Sequence, residues 1–270
     1  MNKAVETLLT LGKVALKSRP AGRSLRRERG GRLIVMGNGP SLRQTMAESA
    51  EALRLSDTVA VNFAANAAEF FELKPRHYVL ADPHFFTSAD PNVSRLWENL
   101  AKADWPMTLH IPAGRECPVD NIEVQRFNMT PGEGIDRLVH PLYERGLAMP
   151  RPRNVLIPAI MEGIRDGYED IYIVGADHTW PHTLYVDDAN RVVTVQPHFY
   201  EDNKKELNRV AEVYSGLHIH DVLGSMVVAF RSYHHIRRYA DARGVRVINC
   251  TPGSLIDAFE RGKLEELRRR

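Results

Sequence analysis

The chain has 270 residues, 43% of them hydrophobic and 26% charged, with a net charge of +2. That balance fits one large or two small globular domains; it excludes an intrinsically disordered chain and a polycation built to bind nucleic acid. No apolar run approaches the ~20 residues of a membrane span, and Cys117 and Cys250 lie far apart without metal-ligand spacing, which fits a reducing compartment with no disulfide framework.

Charge is unevenly placed. In residues 1–29, Lys3, Lys13, Lys17, Arg19, Arg23, Arg26, Arg27 and Arg29 face only Glu6 and Glu28. Leu8, Leu9, Leu11, Val14, Ala15 and Leu16 form an apolar stripe on a helix expected from about Asn2 to Lys17, ended by Pro20 and Gly22. No small-residue cleavage site follows, so a secretory signal is not expected. Two roles stand open for this helix: an interfacial element held to anionic lipid, or a solubilising element packed on the domain. Arg268, Arg269 and Arg270 read as a solvated end.

After residue 30, strand and helix patterns alternate. Leu33–Met36 is a short apolar run, followed by a helical stretch to about Leu53. Thr58–Val61 is the next strand, then a helix over Ala64–Glu72 and a strand over His77–Ala81. Met107–Ile111 and Ile122–Phe127 are weaker strands. Asn154–Asp166 is expected to be helical, Ile171–Val174 a buried strand and Val222–Ala242 a long helix closed by Gly244. Val245–Ile248 reads as the last strand and Ser254–Arg261 as the last helix. Such alternation means parallel strands with crossover helices, a Rossmann-like, doubly wound, mostly parallel α/β sheet. Asn38, Asn62, Asp82, Asp177 and Thr251 each follow a strand, and ligands of open α/β sheets bind outside the carboxyl ends of the strands.

Residues 178–220 break the alternation and are rich in His, Trp and Tyr, so they read as a lid on a catalytic domain of residues 30–270. The segment Gly37-Asn38-Gly39-Pro40-Ser41-Leu42 lies between strand and helix. Its glycines allow backbone N–H groups to approach a ligand, and the helix start favours a phosphate. It is neither a P-loop nor a dinucleotide fingerprint, because the Gly-Lys-Ser/Thr ending and the glycine spacing are missing.

This segment resembles the opening motif of the bacterial sialyltransferases of glycosyltransferase family 42. It is also similar to that of the motility accessory factors and the MptE-like pterin diphosphokinases. Further positions follow the sialyltransferase order: Asn62 after the second strand, Ala81-Asp82-Pro83-His84-Phe85-Phe86, Gly167 to Asp177, Tyr185 eight residues after Asp177, and Asn249-Cys250-Thr251-Pro252-Gly253-Ser254-Leu255. The resemblance spans roughly residues 32–260. It departs where that family carries Arg-x-Thr-Ser-Gly: here the stretch is Arg151-Pro152-Arg153-Asn154, with Asn154 at the threonine position.

The resemblance implies a GT-A-variant-like, inverting transferase that moves an acidic sugar (sialic acid, another nonulosonic acid or Kdo) from a CMP-linked donor to a surface-glycan or lipid-linked acceptor on the cytoplasmic face of the membrane. It implies nucleotide contacts from Gly37, Asn38, Gly39, Ser41, Asn62, Asp82, Asn154, Asp177, Thr251 and Ser254, with Arg151 or Arg153 pairing the sugar carboxylate. Tyr185 would meet the departing phosphate, and His220, or else His218, would deprotonate the acceptor. On the lid, His178 and His198 are alternative bases or donor contacts, with Trp180 a further lid contact, whereas His234 and His235 read as structural. Asp187-Asp188 reads as a solvated turn. A homo-oligomer follows by analogy. No cofactor and no required metal are expected, because CMP leaves as a monophosphate whose charge hydroxyls and helix starts can meet. The alternatives are a diphosphokinase using ATP and magnesium and a non-catalytic nucleotide-sugar-binding protein.

Overall fold

The computed structural model describes residues 2–21, 30–194 and 216–265. Eight parallel strands form one sheet in the order β10-β9-β6-β1-β2-β3-β4-β5. They are β1 (Arg32–Met36), β2 (Asp57–Val61), β3 (His77–Val79), β4 (Thr108–Pro112), β5 (Glu123–Phe127), β6 (Asp170–Val174), β9 (Arg246–Asn249) and β10 (Glu260–Arg261). A two-stranded hairpin, β7 (Tyr185–Val186) and β8 (Val192–Val193), stands apart from the sheet.

Helices cover both faces. On one lie α2 (Ser41–Glu48), α3 (Ala50–Arg54), α4 (Glu69–Leu73) and α6 (Pro91–Ala101). On the other lie α7 (Asp136–Glu144), α8 (Leu156–Arg165) and α9 (Ile219–Arg243). The period-2 pleat explains the sorting. Leu33, Val35, Ile171 and Ile173 face the α8 side, while Ile34, Met36, Tyr172 and Val174 face the α2 side. Strands buried on both faces read as the continuous apolar runs seen in the sequence. The chain is therefore the expected Rossmann-like α/β fold.

Several elements differ from expectation. Ser254–Arg261 is not a helix: an irregular segment leads to β10, because the Asn249 side chain and the Arg261 guanidinium take up the Ile256 carbonyl, while Ser254 Oγ is drawn to the Ala176 carbonyl at the tip of β6. The helix after β1 breaks at Ser49, and the one after β2 begins as a 3-10 turn over Asn62–Asn66. The short α5 (His84–Thr87), α6 and α7 go beyond the sequence reading. For α6 the signal is present, with Asp90 capping Asn92 N and Pro91 in the first turn. The basic α1 (Lys3–Lys17) forms as expected, capped by Asn2; Arg23, Arg26, Arg27, Arg29, His198 and Arg268–Arg270 lie outside the described residues.

A buried polar network joins the amino halves of β2–β5 to α8. His77 Nδ1 and His110 Nε2 are 3.0 Å apart, and His77 Nε2 meets Tyr168 OH at 2.8 Å. Tyr168 donates to Asp57 Oδ2 at 2.5 Å. Gln125 Nε2 donates to Glu162 Oε2 and Asp166 Oδ1 at 3.1 and 2.9 Å, and Arg165 pairs with Glu162. Burial pushes the Glu162 carboxyl up, but the nearby His110 imidazole and the Arg165 charge outweigh it and hold the pKa below the ordinary carboxylate value. That stabilisation is present above the unfolded carboxyl pKa of about 4.3 and is lost as pH falls through the lower folded value. Glu162→Ala is expected to cost about 3–5 kcal/mol at pH 7 by leaving Arg165 and His110 without their carboxylate. It should also flatten the acid limb of stability, both effects read by urea unfolding at a series of pH values.

Candidate functional site

The chain passes from β1 to β2 on one side and later places β6 on the other, so the sheet reverses direction of growth at β1/β6. The ligand crevice of such sheets opens at this point. Here the two strand tips are joined. Gly37 N donates to Val174 O and Gly39 N to Gly175 O, both at 2.8 Å, and Ser41 Oγ donates to Asp177 Oδ2 at 2.8 Å. A Cβ on Gly37 would overlap the Gly175 carbonyl, and one on Gly39 would overlap the Asp177 carboxylate. These glycine N–H groups bond β6-tip carbonyls, and the missing side chains let the tips meet.

Asn38 and Asn62 come together. Asn38 Nδ2 donates to Val61 O at 3.1 Å, so the β1-tip carboxamide reaches across to the residue before Asn62. Asn62 takes φ 52°, a left-handed conformation that asparagine tolerates. Its carbonyl accepts from Tyr78 OH at 2.5 Å, and that hydroxyl also accepts from Ala65 N. Beside Asn38 opens a small, mostly apolar cleft, walled by Met36, Leu42, Met46, Ala64 and Phe70. At the next tip, exposed Asp82 accepts from His84 N at 2.8 Å, and Phe63 packs edge-on against Phe85, 5.0 Å between centroids.

Thr251 and Ser254 hold the β6 tip instead of facing a ligand. Ala176 N donates to Thr251 Oγ1 at 3.1 Å, Ser254 Oγ donates to Ala176 O at 2.7 Å, and both residues are buried.

A third group combines residues distant in sequence. His178, at φ 52°, sets Nε2 2.7 Å from Tyr233 OH, and Tyr233 donates to Asn154 Oδ1 at 3.0 Å. Because the tyrosine proton goes to Asn154, His178 Nε2 carries its own proton. The His178 ring stacks on Trp180 at 4.1 Å. Burial pushes its pKa down to about 3, so it is neutral at pH 7. Asn154 Nδ2 is buried with no hydrogen-bond partner among the described residues. Tyr233 was missed from sequence, because within a long helix its spacing reads as core. Arg151 sits 3.9 Å from Glu133 Oε2, while Arg153 is exposed.

The hairpin rests on α9: Trp180 and Leu184 pack with Val192, Val222 and Met226. Its turn is made by Asp187, which accepts from Ala189 N and pairs with Arg191, in line with the solvated-turn reading. Tyr185 is exposed. Tyr233 marks the level of the β6 tip on α9, and His220 lies three and a half turns earlier, about 20 Å along the axis. The His220 ring is 78% exposed, stacks on His218 and lies 3.4 Å from Asp221 Oδ1. The fold thus gathers Asn38 and Asn62 at one place and His178, Trp180 and Asn154 at another. It leaves His218, His220 and Tyr185 on the projecting lid.

Among the described residues, one group has metal-ligand proximity: nitrogens of His77 and His110 and an oxygen of Asp166, all within 4.8 Å. It lies in the buried network beneath α8, away from the strand tips.

No protein-family model matches the chain, and no curated protein does. Among solved structures it is similar to the MAf glycosyltransferase from Magnetospirillum magneticum AMB-1, at 11% identity and a TM-score of 0.54, over 97% of this chain and 39% of that one. The chain spans about two fifths of that protein, and the likeness is one of fold.

Two outcomes test this geometry. Gly39→Ala should destabilise the protein by about 1–3 kcal/mol through overpacking at the joined tips, measured by chemical denaturation. His178 contributes stability that is full above the unfolded histidine value of about 6.5 and lost as pH falls toward 3. His178→Gln should therefore remove part of the pH dependence of melting between those values.

Proposed function

We propose that the chain is a glycosyltransferase that takes an acidic sugar from a CMP-linked donor and delivers it, with inversion, to a surface-glycan or lipid-linked acceptor at the cytoplasmic face of the membrane. The observation that carries this reading is the Asn38 bond to Val61, which ties the tip of β1 to the strand end that precedes Asn62, beside a small apolar cleft. Cytosine offers one donor and two acceptors on its pairing edge, and a carboxamide supplies the complement. Ser41, in the first turn of α2, lies where a phosphate is favoured. The fold shared with a glycosyltransferase agrees with this assignment.

In the reaction, the acceptor oxygen bonds to the anomeric carbon as the bond to the donor phosphate oxygen breaks. CMP leaves with the electron pair, and a base takes the acceptor proton. His178 is unsuited to the task, being buried with its Nε2 bonded to Tyr233. His220 is solvent-facing, with the Asp221 carboxylate beside it to stabilise the imidazolium. Bringing His220 to the donor requires the start of α9 to fold over the strand tips. Tyr185, on the same lid, then meets the departing phosphate, Arg153 the sugar carboxylate, and no metal is required.

Calorimetry should detect CMP without divalent ions. ATP binding that needs magnesium, with none for CMP, would mark a diphosphokinase; CMP binding without transfer or donor hydrolysis would mark a binding protein. With a CMP-sugar donor, His220→Ala is expected to lower kcat by about 10²–10⁴-fold and leave CMP affinity unchanged. Unaltered turnover would remove His220 as the base.

A further inference from the structure

Helix α1 is docked by its polar side. Thr10 Oγ1 donates to Glu133 O at 2.7 Å and accepts from Glu133 N at 2.9 Å; Thr7 Oγ1 accepts from Ile135 N at 2.9 Å. Gly134, at φ 138°, lies so close to Thr7 that any Cβ there would overlap it. Past the helix, Ser18 Oγ reaches Leu147 O at 2.6 Å, and Asn128 bonds the backbone N and O of Arg19 at 2.9 and 2.8 Å. These contacts pin the rotation of the helix about its axis, with Thr7 and Thr10 buried.

The opposite side is apolar and open. Val5, Leu8, Leu9, Leu11 and Leu16 are exposed, Leu8 at 69% and Leu16 at 86%. With Ala4, Gly12 and Ala15 they fill an uncharged arc of about 160° around the helix. Among the described residues, nothing lies within 4 Å of a Cβ placed on Gly12, in the middle of that arc. Exposed Ile135 and Leu138 extend the patch at the docking loop. An ordinary surface helix turns its leucines inward, and this one does the reverse. A contiguous exposed apolar face of this kind marks an interaction surface.

We propose that this face of α1 seats the protein on an anionic membrane surface, with the helix lying in the plane of the interface. Charge favours that occupant. Lys3, Lys13, Lys17 and Arg19 accompany the arc, against Glu6 alone in this segment. Such a basic rim is drawn to anionic headgroups. A second copy of the same surface would bring like charges together, which opposes self-pairing. At 15 residues, about 22 Å, α1 is too short to cross a bilayer core. No helix among the described residues is long and apolar enough to do so.

The inference stands on α1 and not on the sugar chemistry, so it is tested without donor. The full chain is floated with vesicles of phosphatidylcholine alone and of phosphatidylcholine mixed with phosphatidylglycerol. Binding is expected to the mixed vesicles, at least about tenfold stronger than to the neutral ones and weakened by salt. Leu8→Glu with Leu16→Glu should abolish it with an unchanged melting temperature, because both side chains face solvent. Lys13→Glu with Lys17→Glu should weaken binding to the mixed vesicles only. Absence of binding to mixed vesicles, or equal binding to both kinds, overturns the proposal. So does a dimer in light scattering that the leucine variants convert to monomer while vesicle binding is unaffected.

Discussion

The contact between the β1 and β6 tips organises the centre of this molecule. Gly37 and Gly175 pass so close that neither position accommodates a side chain, and the backbone bonds between the tips form only at that separation. Ser41 and Asp177 add a side-chain bond that ties the start of α2 to the same point. Thr251 and Ser254 then clamp the β6 tip from the β9 side. Three segments distant in sequence meet there, and the cleft beside Asn38 opens where the joined tips end.

The polar groups of the interior divide between the two ends of the sheet. At the amino ends, His77, His110, Tyr168, Glu162 and Asp166 form a closed, buried network with Arg165 as counter-charge. Buried charges of this kind hold only while every member keeps its partners, so the network specifies the seating of α8 on the sheet more than it adds stability. At the carboxyl ends the polar groups are partly open. Neutral His178 fixes the loop after β6 against α9 through Tyr233, and α9 then carries the hairpin and its histidines clear of the sheet.

Helix α1 follows the opposite packing logic from the rest of the chain. Elsewhere apolar residues turn inward and bury both faces of the sheet. In α1 two threonines and a glycine make the inner contact, and the leucines are left outside among lysines.

Local order was legible in the sequence. Apolar runs of strand length, alternating with helical periodicity, determined the α/β fold and put Asn38, Asn62, Asp82, Asp177 and Thr251 at strand ends; the stripe of leucines among basic residues determined that α1 would be amphipathic. Both are properties of residues a few positions apart. Only the tertiary structure decided which face of α1 is covered, that Gly37 and Gly39 serve tip-to-tip packing, and that Ser254–Arg261 is irregular and ends in a strand. The same holds for the pairing of Tyr233 with His178 and of His77 with His110. Each of these depends on groups far apart in the chain that share space only after the sheet has assembled, and no local period encodes that proximity.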